Sequence, residues 1–254
     1  MLNKITPVIL TFNEAENIER TLTAVNWAKE VLVVDSYSTD DTLSICQNFD
    51  NVTIIQRTFD SASQQCNFAL DQDIQTEWIL SMDADYVVTQ ALANELGALE
   101  PKKNVSGFEI SFNYLINGKK LNASLYPPRL SLYRKQKAHY IQDGHTQRVI
   151  VDGVILKLNE KMDHDDRKPH ARWLQSQRRY ALMEAEKIKE KKIANMSWSD
   201  RVRLVGLGPL MVVPYTLFLK GLVFDGWPGL TYTRQRFVAE CYLLFARLGL
   251  IKDE

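Results

Sequence analysis

The sequence contains little that would cross-link, anchor or charge it. Three cysteines, Cys46, Cys66 and Cys241, are spread through 254 residues. Their odd number, wide spacing and apolar helical surroundings argue against a disulfide framework or a zinc site and fit buried thiols in a reducing compartment. Lys plus Arg and Asp plus Glu each number 31, so no net charge draws the chain to nucleic acid, and any anion site must be local. No basic-then-apolar leader opens the chain: "MLNKITPVILTFNE" turns polar at once, as expected of a start in the cytoplasm. Internal repeats and low-complexity linkers are missing. The longest stretch of interest at the far end, Leu204–Leu219, has 16 residues without a charge. It is broken by Gly206, Gly208, Pro209 and Pro214 and falls short of the roughly 20 apolar residues a spanning helix needs.

What the sequence does have is alternation. The β-rich runs "ITPVILTF", "EVLVVDS", "VTIIQR" and "EWILSMDAD" are separated by helix-period segments: Glu14–Ala28, with Ile18, Leu22 and Val25 on one face, a short helix from Asp40, and Ser61–Leu70. Repeated βα units predict an α/β fold with a mostly parallel sheet flanked by helices, which binds ligands beyond the carboxyl ends of its strands. Asn13 with Glu16, and Ser61 with Gln64, have the spacing of helix-start capping pairs. From Ser106 to about Leu158 the pattern changes to runs such as "GFEISFNYLING" and "QRVIVDGVILKL", which predict antiparallel or mixed strands and loops. Ala171–Ala194 reads as one long charged helix. Between Arg201 and Leu250 six basic residues outnumber two acidic ones, interleaved with Trp227, Tyr232, Phe237 and Tyr242. That mixture suits a helix or hairpin lying in an anionic membrane interface, with a packed helical cap or a homo-oligomer contact as the alternative.

Asn13, Asp35 and Asp85 all fall at strand carboxyl ends. "ILSMDADYV" runs a hydrophobic strand into Asp83 and Asp85, which period-two alternation places on one side where the chain leaves the sheet. Two like charges there suit either a solvated loop start or a divalent ion held against an anionic ligand. Mg²⁺ and Mn²⁺ take oxygen ligands and are commonly bound by one or two carboxylates plus substrate phosphates. Asp35 precedes the polar turn "SYSTDDT", where its carboxylate would cap an Asx-type turn or accept from a base imide or a ribose hydroxyl. Three polar strand ends on one crevice fit a nucleoside diphosphate.

These blocks resemble the N-terminal half of an inverting, family 2-like GT-A glycosyltransferase. "PVILTFNEAENIERTL" is similar to its first strand and helix, "VLVVDSYSTDDT" to its second strand and turn, and "MDADY" to its metal-binding DxD. The resemblance implies a Rossmann-like GT-A domain over residues 1–195, with a nucleotide-binding half (1–105) and an acceptor-binding half (106–195), followed by a helical, membrane-associating appendage (196–254). It places Thr11 and Asn13 near the base, Glu14 near the ribose, Asp35 on the base, Asp83 near ribose or metal, and Asp85 on the Mn²⁺ or Mg²⁺. Through "FDGWPG" and the basic aromatic tail the chain is also similar to bacterial enzymes that extend lipopolysaccharide core or other cell-surface glycans. The activity implied is transfer from a nucleotide-sugar, a UDP-sugar first, to a membrane-displayed glycolipid or polysaccharide by a chain peripheral on the inner face of the cytoplasmic membrane.

Inverting transfer needs a general base for the acceptor hydroxyl. Relatives carry a His-Glu pair where "IQDGHTQRV" has His145 followed by Thr146, so Asp143 is the nearest carboxylate, unless Asp143-Gly144 is only a hairpin turn. "MDHDDRKPH" offers Asp165 and Asp166 as further bases and His164 as a metal or phosphate ligand. "WLQSQRRY" resembles the Gln-x-x-Arg-Trp pattern of processive synthases in Gln175 and Arg178, but Arg179 stands where Trp belongs. A sugar-phosphate nucleotidyltransferase would open with a Gly-rich basic phosphate loop, which "VILTFNEAEN" is not. The remaining alternative is a catalytically silent nucleotide-binding subunit of a glycan-assembly complex, which the missing Glu at position 146 favours.

Overall fold

The computed structural model describes residues 1–143 and 146–252. Strands β1 (Ile5–Thr11), β2 (Val31–Asp35), β3 (Val52–Gln56) and β4 (Trp78–Asp83) alternate with α1 (Ile18–Ala24), α2 (Thr42–Cys46) and α3 (Ala62–Leu70). All four strands run parallel in the order β3-β2-β1-β4. Their side chains alternate between two apolar layers. Ile5, Ile9, Val31, Val33, Leu80 and Met82 join Ile18 and Leu22 of α1, while Val8, Leu32, Val34 and Ile79 join Cys66 and Ala69 of α3. Because β2 and β3 lie on one side of β1 and β4 on the other, the strand order reverses between β1 and β4. A crevice at such a switch point is where open α/β sheets receive ligands.

The chain continues through β5 (Tyr86–Val88), α4 (Gln90–Ala98), β6 (Val105–Ile116), β7 (Lys119–Lys120), β8 (Arg129–Arg134), β9 (Ala138–Asp143), β10 (Thr146–Val151) and β11 (Val154–His164). The main sheet has the order β3-β2-β1-β4-β8-β6-β11-β5, with β7 paired to β6. It is therefore mixed rather than mostly parallel: β8 is antiparallel to both β4 and β6, and β5 is antiparallel to β11, while β6 and β11 are parallel. The physical reason is connectivity. No helix lies between β6 and β8 to return the chain to the same end of the sheet, as a parallel partner requires. Strands β4 and β5 are joined by Ala84 and Asp85 alone, yet β8, β6 and β11 separate them in the ladder, so the sheet curls.

Local starts follow the capping expectation at one helix and not at another. Ser61 caps α3, its side chain accepting from the Gln64 N–H at 3.2 Å. The helix expected from Glu14 opens only at Ile18, with Asn17 as N-cap, and Asn13 sits outside it in a left-handed conformation (φ 54°). Cys46 and Cys66 are buried free thiols, pushed up to about 11 and about 12 by burial; Cys241 is half-buried.

Contacts divide the chain into two compact units: residues 1–114 with 125–167, and residues 115–124 with 168–254. The second unit contains α5 (His170–Glu190), α6 (Trp198–Leu204), α7 (Gly208–Pro214), a π-helical turn (Tyr215–Leu219) and α8 (Trp227–Arg247). Ala181, Ala185 and Ile188 of α5 pack on Leu243 and Ala246 of α8 and on Met196. Among the described residues, no helix is long and apolar enough to cross a membrane.

Candidate functional site

The loops after β1 and β2 form one hydrogen-bonded clasp. Thr11 and Asp35 are register partners at the strand ends, both buried, and the Thr11 hydroxyl donates to Asp35 Oδ1 at 3.0 Å. Asp35 also accepts from the Ser38 N–H at 2.9 Å, from Gln56 Nε2 at 3.0 Å and from the Ser38 hydroxyl. Its two oxygens thus meet four donors, as many as a carboxylate has lone-pair sites. Asn13 ties the loops together, donating from its N–H to Ser38 Oγ (2.7 Å) and accepting through Oδ1 from the Thr39 N–H (2.7 Å). The Glu14 N–H donates to Thr42 Oγ1 at 2.7 Å, and the Glu14 carboxylate accepts from Asn17 Nδ2 at 2.9 Å. Tyr37, which sequence reasoning passed over, holds a positive φ of 61° with its ring half exposed. A bulky residue in that region is rare, and such conformations concentrate at functional sites.

The second half of the site is assembled by β5 and β11. His164 is the register partner of Tyr86, and the Asp165 N–H donates to the Asp85 carbonyl at 3.1 Å, so this ladder joins the Asp83–Asp85 turn to the 164–166 segment. His164 Nε2 lies 3.3 Å from Asp85 Oδ2, with both side chains nearly enclosed. Burial works against the imidazolium, but the Asp85 carboxylate, helped by Asp83 and Asp166, outweighs it and holds the His164 pKa above its ordinary value. The rings of Tyr86, Tyr114 and Tyr126 surround His164 at 5.4, 4.7 and 4.5 Å between centroids. His164 Nδ1 is buried with no protein partner among the described residues.

Asp83 does not share the Asp85 pairing. Its carboxylate accepts from Arg129 Nη1 at 3.0 Å, and the same nitrogen donates to Tyr86 OH at 2.7 Å. The Tyr86 and Tyr126 hydroxyls share a short hydrogen bond, and burial, reinforced by Asp83, pushes the Tyr126 hydroxyl up to about 12, so it stays protonated. Arg129 and the two tyrosines carried no local signal: "PPRLSLYRK" reads only as a strand, and Arg129 meets a carboxylate 46 positions away.

The candidate bases separate in the same way. Asp143 and Thr146 are register partners closing the β9–β10 hairpin, so the hairpin expected of Asp143-Gly144 forms, and the Asp143 carboxylate lies 3.8 Å from Arg148. Gly144 and His145 lie outside the described residues. Asp165 is only 2% exposed and is held by Arg20 at 2.9 Å and Arg167 at 2.7 Å. Asp166 accepts from Asn17 Nδ2 at 3.1 Å. Gln175 and Arg178 lie on α5 in the second unit, where Arg178 donates to the Lys252 carbonyl at 3.0 Å. No group of three His, Cys, Asp or Glu side chains among the described residues is arranged to hold a metal by itself.

The loops after β1 and β2 and the Asp83–Asp85 turn lie within a longer match, and His164 falls beyond it. Residues 6–147, more than half of the chain, match the family described as Glycosyl transferase family 2. The chain belongs to that family. Two proteins from Rickettsia, both described as uncharacterized glycosyltransferases, are similar in sequence. The one from Rickettsia bellii is 34% identical over 105 residues, covering 41% of this chain and 35% of the relative. The one from Rickettsia felis is 36% identical over 96 residues, covering 37% and 33%. The chain thus covers about a third of the length of these curated relatives. A mannosyltransferase from Pyrobaculum calidifontis, solved with GDP-Man and Mn²⁺, shares the fold at a TM-score of 0.53 and 15% identity, over 98% of this chain and 88% of that one.

Proposed function

We propose that this family 2 chain is a metal-dependent, inverting glycosyltransferase that moves a sugar from a nucleotide-sugar, a UDP-sugar first, to a membrane-displayed glycolipid or polysaccharide in cell-envelope glycan synthesis. The observation that carries the reading is Asp85 and His164, brought 3.3 Å apart by the β5–β11 ladder beside the β1/β4 switch point. Asp85 and His164 would be the residues that hold a Mn²⁺ or Mg²⁺ ion there, the carboxylate supplying the oxygen such ions take. Two protein ligands would leave the other positions to diphosphate and water. The bound ion would supply charge stabilisation to the departing diphosphate.

The chain's own residues divide the remaining work. The Asn13–Ser38–Thr39 clasp sets the loop that receives the nucleoside, and Asp35 holds that loop in shape. For Asp35 to accept an imide proton as well, Ser38 Oγ or Gln56 must give up its bond. Arg129 neutralises Asp83 and keeps it off the metal edge, leaving Asp85 and His164 as the ligands. Asp143 serves as the base that takes the acceptor proton.

Donor binding tests this reading. UDP should raise the melting temperature of the full chain only when Mn²⁺ is present, and Asp85→Asn should lose that increment while melting normally on its own. A Mn²⁺-dependent shift undiminished in Asp85→Asn would refute the metal assignment. The alternative of a silent nucleotide-binding subunit predicts the same binding with no turnover of donor.

A further inference from the structure

The second compact unit has an apolar surface that its own core does not use. Its interior is closed: Thr216 Oγ1 donates to the Val212 carbonyl at 2.8 Å and meets Thr233 Oγ1 at 3.1 Å, and a Cβ on Gly229 would strike the Leu222 carbonyl. Outside that interior, Leu210 is 70% exposed, Phe218 70%, Leu219 79%, Phe224 86% and Trp227 78%. Single exposed apolar side chains are ordinary on a protein surface. Five large ones between Leu210 and Trp227, one on α7, three in the connection to α8 and one at the first position of α8, are not.

Over 201–250 six basic residues stand against two acidic ones. Within 207–230 the charged residues are Lys220 and Asp225, and Asp225 is committed inside the unit, accepting from the Asn122 N–H at 3.0 Å. The other acidic residue of 201–250, Glu240, is held by Arg203 at 2.6 Å. Arg201 and Arg234 are exposed and Lys220 is partly so. A two-fold contact between copies would set this patch against itself and bring like cations together. An anionic bilayer offers what the patch lacks: apolar depth for Phe, Leu and Trp, and negative headgroups for Lys and Arg.

We propose that Leu207–Leu230 is a membrane-insertion element that seats in the headgroup–acyl boundary of an anionic lipid bilayer without crossing it. The inference gives the membrane placement of the proposed function a specific surface but does not depend on donor chemistry, so Mn²⁺-dependent UDP stabilisation is followed in parallel. The test is flotation of the full chain with phosphatidylglycerol-containing vesicles and with phosphatidylcholine vesicles. The full chain should float with the anionic vesicles, and high salt should weaken but not abolish the association, because apolar insertion survives screening. Phe218→Ser with Phe224→Ser should reduce partition about tenfold or more while melting as wild type and keeping its UDP response. Should that variant fold poorly, tail-brominated lipids provide a second measurement: they should quench wild-type fluorescence more than that of Trp227→Phe. The inference is overturned if folded wild type fails to float with anionic vesicles, or if the double variant floats like wild type. It is also overturned if the patch proves to be a dimer contact, with wild type dimeric and vesicle-free and the double variant monomeric.

Discussion

Asp35 and Asp143 are both carboxylates near a cleft, yet their surroundings assign them opposite work. Asp35 is fully buried and meets four donors, so its removal leaves the Ser38 N–H, the Thr11 hydroxyl and Gln56 Nε2 without an acceptor. Asp35→Ala should lower the unfolding free energy by about 3 kcal/mol in urea denaturation, and UDP affinity should fall with it; an unchanged midpoint would contradict this role. The Asp143 carboxylate lies 3.8 Å from Arg148, whose side chain is 62% exposed, and a pair so open to solvent contributes little to stability. Asp143→Asn should therefore leave melting and UDP binding nearly unchanged while slowing transfer by ~10²-fold or more, as removal of a general base does. Normal turnover in Asp143→Asn together with loss in Asp166→Asn would move the base to Asp166. Asp165→Asn is expected to act on stability instead, because it strips charge from an anion locked between Arg20 and Arg167.

At the scale of elements, α6 shows how a short helix is held. Ser197 caps it by accepting from the Asp200 N–H at 3.1 Å, Asp200 accepts back from the Ser197 N–H at 3.2 Å, and Lys191 Nζ donates to Asp200 at 2.9 Å. Burial pushes the Asp200 carboxyl up, but the bonds from Lys191 and Ser197 outweigh it and leave the pKa below the ordinary value. A depressed carboxylate stabilises the fold above its unfolded pKa and loses that contribution as pH falls through its folded one. Asp200→Asn should cost about 1 kcal/mol at neutral pH, and the gap to wild type should close as the medium is acidified below the carboxylate range. A gap constant with pH would contradict the assignment. Elements also show what a linear reading can and cannot reach. Strands β1 to β4 were readable because each is a compact apolar run bounded by turn residues, and the first three are each followed by a helix. The order of β8, β6, β11 and β5 was not, since those pairings join segments far apart in sequence and leave no local period. The expectation of a mostly parallel sheet holds for β1 to β4, and the antiparallel or mixed strands expected after Ser106 make the whole sheet mixed.

For the molecule as a whole, the loops after β1 and β2 and the Asp85–His164 pair come from separate stretches that only the folded sheet unites. Asn13, Asp35 and Asp85 could be singled out individually, because a polar residue at the carboxyl end of a buried strand stands out against its apolar run, whereas Thr11 came only through the family resemblance. That Asp85 meets His164, and Asp83 meets Arg129, follows from the sheet curling until β5 lies against β11, which no spacing in the chain encodes. The central claim is that this curl builds a working metal-dependent transfer site, and turnover tests it most directly. Purified full chain, given UDP-sugars, Mn²⁺ and a membrane extract as acceptor source, should release UDP with at least one donor. EDTA should stop the release, and Asp85→Asn and His164→Ala should each lower it by ~10²-fold or more with the fold intact. Release of UDP that persists in EDTA and in Asp85→Asn would contradict the account.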